Sequence, residues 1–78
     1  MEKKFLKIFN KIMLTNLRKV SKIKRLEIKR WDSLNHVKLI SELEQSFKIN
    51  FDLKDNQSIK NLESFFSIIA KKILKKKH

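Results

Sequence analysis

WDSLNHVKLISELEQSF, residues 31 to 47, opens on a helix start and continues as a helix. Asp32 and Ser33 are both good N-cap residues, because a short oxygen-bearing side chain accepts a hydrogen bond from an unpaired first-turn amide. Leu34, Val37, Ile40, Leu43 and Phe47 then recur at three- or four-residue spacing, the repeat of one buried helix face. On this register Asn35, His36, Lys38, Glu42 and Gln45 point outward, with Glu44 near the edge. The helix is expected to end near Phe47 to Lys48.

Upstream, Phe5, Ile8, Phe9, Ile12, Met13 and Leu17 form one apolar stripe, which predicts a first helix from about Lys3 to Leu17. Residues 18–32 are less regular. Seven bases crowd Arg18 to Arg30, mixed with Val20, Ile23, Leu26 and Ile28, and we expect a long loop whose apolar residues drop onto the helices. Downstream, Asp52 is placed to cap a short helix over Leu53 to Ser58, and Asn61 a last helix. In that last helix Leu62, Phe65, Phe66, Ile69, Ala70 and Ile73 give the cleanest stripe in the chain, before it frays into Lys75, Lys76 and Lys77. Striped helices bury their faces on each other, so the expected fold class is an all-α four-helix bundle with a long loop between helices 1 and 2 and a short helix 3.

Composition agrees and narrows the function. A chain of 78 residues makes one domain, 1–78, with a thin core and no room for a deep, walled active site. Glycine and proline are absent, which removes Gly-rich phosphate loops and primed hairpin turns. Cysteine is absent too, so any sulfur chemistry must use a sulfur brought by a prosthetic group. No segment has the length of a membrane span. Lys7, Asn10 and Lys11 interrupt the apolar stretch a signal peptide needs, so a cytoplasmic protein is expected. The net charge of +12 is unevenly spread. Residues 1–30 hold 11 bases and 2 acids (+9), residues 31–63 hold 4 and 6 (−2), and residues 64–78 hold 5 and none (+5).

The segment Trp31 to Phe47 resembles the signature of acyl and peptidyl carrier proteins. In that family an Asp-Ser-Leu motif, here Asp32-Ser33-Leu34, opens the second helix of a four-helix bundle, with a Trp before it in one branch. The likeness continues through Ile49, Phe51, Ile59, Leu62 and Ile69, and so covers about residues 31–70. It implies that Ser33 receives 4′-phosphopantetheine from coenzyme A by a magnesium-dependent phosphopantetheinyl transferase. Asp32 would help that transferase bind, and Leu34 would contact partner enzymes. The chain would then carry an acyl or aminoacyl group as a thioester for fatty-acid, polyketide, peptide or surface-glycan or lipid biosynthesis. Its partners would be the transferase, a loading ligase and acyltransferases, and the chain itself would be a monomer and no enzyme. A helix start suits the attachment, since it exposes the hydroxyl and offers free amides and a positive dipole end to a phosphodiester.

Docking is expected on the outward face of the second helix, at Asn35, His36, Lys38, Glu42, Glu44 and Gln45, within the mildly acidic middle of the chain. Lys38 departs from the family's more acidic habit there. Family members with fatty acyl cargo open a cavity between the helices, so the pocket or core positions are Val37, Ile40, Leu43, Phe47, Phe51, Ile59 and Phe65. Phe47, Phe51, Phe65 and Phe66 are placed to fill that space, which suggests a short or polar cargo.

Rival readings follow from the charge. A basic helical protein could bind nucleic acid, yet Phe5 and Phe9 follow the helix stripe and are better explained as core than as stacking platforms, so no specific nucleic acid is expected. The amphipathic first helix, with lysines on its polar face, suits a peripheral contact with an anionic membrane and is compatible with carrying. A hydrolase built on Asp32, Ser33 and His36 is disfavoured, because adjacent Asp32 and Ser33 cannot line up with His36 between them. No metal site is expected from His36 and His78 alone.

Overall fold

A computed structural model describes residues 1–76; the expected frayed end at Lys77 and the terminal His78 lie outside the described residues. Four helices follow in order: α1 (Glu2–Met13), α2 (Ser33–Phe47), α3 (Leu53–Gln57) and α4 (Leu62–Lys76), with a 3₁₀ turn at Arg25–Glu27 in the long loop between α1 and α2. Among the described residues the extended pairing is a single antiparallel bridge, Lys24 to Asn61, beside a hydrogen bond from Leu62 N to Ile23 O at 2.9 Å. The fold is an all-α four-helix one, as the stripes predict.

The caps explain the helix starts. Asp32 Oδ1 accepts from Asn35 N at 2.9 Å, and Asp52 Oδ1 accepts from Asp55 N at 2.8 Å while Asp55 Oδ2 accepts from Asp52 N at 3.0 Å. Asn61 Oδ1 accepts from Ser64 N at 2.8 Å and starts α4. A chain without glycine must end helices differently. Leu14 and Lys48 take the left-handed conformation, each at φ 55°, that glycine usually supplies.

Helix α1 stops at Met13, short of the expected Leu17. The cause is Asn10, whose Oδ1 accepts from Thr15 Oγ1 at 2.7 Å and Leu17 N at 3.0 Å, while its Nδ2 donates to Leu17 O at 2.9 Å. One side chain thus gives the backbone of 15–17 an alternative to the helix ladder.

The core is a file of aromatic and aliphatic side chains: Phe5, Phe9 and Met13 from α1, Leu39 and Leu43 from α2, Leu62, Phe65 and Ile69 from α4, and Trp31 ahead of α2. Phe65 is its centre. Its ring meets Phe5 edge-on at 5.6 Å, Phe51 edge-on at 5.8 Å, Trp31 stacked at 6.0 Å and His36 tilted at 5.8 Å. The loop residues Leu17, Val20, Ile23 and Ile28 drop onto this core as expected, whereas Leu26, in the 3₁₀ turn, is 97% exposed.

The register of α2 is corrected. Asn35 and His36, expected outward, are buried at 8% exposure, and Val37, expected in the core, is 65% exposed. Leu34 is outside as well, and Leu39 takes the central position. The buried set is Asn35, His36, Leu39 and Leu43, about one residue, or 100° of helix rotation, from the apolar count. The polar pair can be buried because both are hydrogen-bonded. Asn35 Nδ2 donates to Arg30 O at 2.7 Å, and His36 is bonded at both ring nitrogens. Leu43 and Phe65 are buried as expected, and Ile40, Phe47, Phe51 and Ile59 are half-buried against the core.

Candidate functional site

The site grows from the turn that delivers the chain to α2. Trp31 N donates to Ile28 O at 3.0 Å, closing a tight turn. Arg25 Nε donates to Trp31 O at 3.1 Å, and Arg30 reaches back to Ile12 O at 3.4 Å. With Asn35 on Arg30 O and the Asp32 carboxylate on Asn35 N, the backbone from Arg30 to Asn35 is held from several directions. Ser33 stands exposed on this support as the first residue of α2, and its hydroxyl takes no part in the bonds that build it. Leu34 beside it is 67% exposed. The amides of Ser33 and Leu34 belong to the helix start and point out of it unpaired by the ladder.

Beneath Ser33 lies a polar chain buried among rings. Trp31 Nε1 donates to His36 Nδ1 at 2.9 Å, and His36 Nε2 lies 3.0 Å from Asn56 Oδ1 in α3. An indole nitrogen only donates, so His36 Nδ1 must accept. The ring proton is therefore on Nε2 and is donated to Asn56. Burial pushes the His36 pKa below the ordinary 6.5, the hydrogen bond to Asn56 opposes this, and the nearby Arg25 charge adds to the lowering. Both ring nitrogens are engaged, so His36 has none left to take a proton from Ser33. The Asp32-Ser33-His36 grouping is no catalytic triad, and His36 is a strut.

The predicted docking residues separate. Lys38 and Gln45 are exposed on α2, as expected. Glu42 lies half-buried toward α1, where Lys11 Nζ is 3.8 Å from its carboxylate, and Glu44 turns the other way to accept from Phe51 N at 2.8 Å. Asn35 and His36 belong to the interior. The open face of α2 is Ser33, Leu34, Val37, Lys38, Ser41 and Gln45, which carries no carboxylate. Sequence reasoning missed Arg25, Arg30 and Asn56 as supports. Arg25 and Arg30 were hidden in a run of like charges, and nothing in the sequence marks Asn56 as the partner of a residue twenty positions away.

A groove of about 450 Å³ lies between α3 and α4, lined by Lys54, Asp55, Ser58, Ile68, Lys71 and Lys72 among others. None of the seven predicted pocket residues lines it. Among the described residues no helix is long and apolar enough to cross a membrane, and no group of His, Asp or Glu is placed to hold a metal.

No family model matches this chain, and no curated protein matches it. Among solved structures it is similar to the solution structure of a holo acyl carrier protein from Geobacter metallireducens, at a TM-score of 0.84 and 29% identity, over 95% of this chain and 86% of that one. The chain has the acyl carrier protein fold and resembles that family over nearly its whole length. The carrier fold accounts for the long first loop, the short α3 and the exposed start of α2. Within the segment 31–47, Trp31, Asn35, His36, Leu39 and Leu43 are interior, while Ser33, Leu34 and Lys38 are among the exposed residues.

Proposed function

We propose that this chain is an acyl carrier protein, modified at Ser33 with 4′-phosphopantetheine and carrying an acyl or aminoacyl group as a thioester. The observation that supports this best is an exposed serine at the first position of a helix, on a backbone held by Asp32, Asn35, Arg25 and Arg30. In the transfer the Ser33 oxygen displaces the adenosine bisphosphate portion of coenzyme A at phosphorus, and the serine proton leaves to the transferase. The residues present fit the product. The free amides and positive end of α2 favour a phosphodiester on Ser33, and Asp32 is turned to Asn35 N rather than toward the new phosphate. Once attached, the arm supplies the thiol that this chain lacks. The protein then serves as substrate for a transferase, a loading ligase and acyltransferases, with the cytoplasm as the expected setting and no catalysis of its own.

The absence of cysteine makes the test sharp. After incubation with coenzyme A, magnesium and a broad-specificity transferase, then removal of free coenzyme A, a thiol reagent should read one thiol per chain, against none before. Ser33→Ala should stay at none and Ser41→Ala should behave as the parent. A thiol that survives Ser33→Ala would place the arm elsewhere.

We also propose that the cargo is short or polar. Phe65 fills the bundle centre, with Phe51 against it. A long acyl chain on the arm should therefore stay open to solvent, with a thioester as readily cleaved by hydroxylamine as that of acetyl. Marked protection of the long-chain thioester would contradict this.

A further inference from the structure

Most of the acids are held in local bonds, which fix their positions and leave their charge in place. Glu2 accepts from Val20 N, Glu27 from Lys24 N, Asp32 from Asn35 N, Glu44 from Phe51 N and Asp52 from Asp55 N. Asp55 pairs with Lys72, and Glu42 with Lys11. Of the eight acids, Glu63 alone among the described residues is outside these bonds. The bases are far more numerous, at 20, and most face solvent.

Around Ser33 two exposed acids, Glu27 and Asp32, stand among more exposed bases, Lys24, Lys29, Arg30 and Lys38, so the surface is basic on balance. Leu34 and Val37 are neighbours at i, i+3 on the open side of α2, and Lys38 follows one turn after Leu34. Leu26 sits almost fully exposed in the 3₁₀ turn that Arg25 ties to the carbonyl of Trp31, and exposed Lys29 stands in the turn between them. Exposed leucines and a valine beside a functional serine, rimmed by cations, have the make-up of a protein-docking patch: apolar centre, charged edge.

Building on the Ser33 assignment, we propose that this apolar and basic face docks enzymes whose carrier-facing surface is acidic. The occupant is a folded protein with an apolar patch and Asp or Glu at its edge, and Lys38 and Lys29 supply the complementary charges. Rim charges of this kind set association rate and partner choice more than total affinity.

The test uses one phosphopantetheinyl transferase in two forms, one with basic residues around its carrier-docking surface and one with those residues changed to Glu. For the parent chain the acidic-faced form should show the lower KM, by about three- to tenfold at low salt, with the difference shrinking as salt is raised. Lys29→Glu/Lys38→Glu should reverse the preference. Both sites are exposed, and circular dichroism checks that the double variant keeps its fold. Modification by both forms with no preference, or with preference for the basic-faced form, overturns the inference and leaves Ser33 as the attachment site. Failure of both forms to modify the chain removes the carrier assignment itself. A parallel arm measures co-sedimentation with phosphatidylglycerol vesicles. Vesicle binding that the double variant loses, with KM values unmoved, would make the occupant a membrane and overturn the proposal.

Discussion

At the residue scale, His36 shows what burial of a polar group requires. Its ring is held between an indole that only donates and an amide oxygen that only accepts, so one neutral tautomer satisfies both. Protonation would set an N–H against the Trp31 N–H. The folded pKa is lowered from 6.5. The unfolded chain therefore binds the proton more readily, and the folded state is favoured fully above about pH 6.5 and less as pH falls through the lowered value. The groups facing the ring are Trp31, Asn56 of α3, Phe65 of α4 and the Arg25 charge. Asp55 is held low by its hydrogen bond to Lys72 and titrates below this window. We expect the urea midpoint to fall between about pH 7.5 and about pH 5.5, and His36→Gln to flatten that dependence. An unchanged slope in the variant would remove His36 as its source.

At the element scale, the ends of helices were partly legible. Asp32, Asp52 and Asn61 announce their helices because the capping signal is local. The end of α1 is not local in the same sense. The apolar stripe runs on to Leu17, and only the bonds of Asn10 to 15–17 show why the helix stops. The register of α2 was misjudged because a count of apolar residues assigns polar ones outward, and Asn35 and His36 are buried by virtue of hydrogen bonds to Arg30 O, Trp31 and Asn56. A prediction follows from the missing glycines. Leu14 is 71% exposed and sits at φ 55° with a side chain that disfavours it. Leu14→Gly should stabilise the protein by about 1 kcal/mol, seen as a rise in Tm of roughly 4–8 °C. A fall in Tm would mean that the left-handed cap carries no strain.

At the scale of the whole molecule, the bundle and the place of Ser33 at a helix start were legible, and the charge of the α2 face beside it was not. The bundle shows in stripes that any helix must bury, and Ser33 in a motif at a helix start. A count along the chain gives residues 31–63 a net −2, whereas the one charged residue on the open face of α2 is Lys38, beside Leu34 and Val37. Charge along a sequence and charge on one face differ by where the fold points each side chain. The docking proposal depends on that difference, and both depend on the serine. An intact-mass spectrum of the folded chain, taken after incubation with coenzyme A, magnesium and transferase, reads the central claim in one step. We predict a gain of one phosphopantetheinyl group in the parent and none in Ser33→Ala; a parent chain of unchanged mass, under conditions that modify another carrier in the same tube, would contradict it.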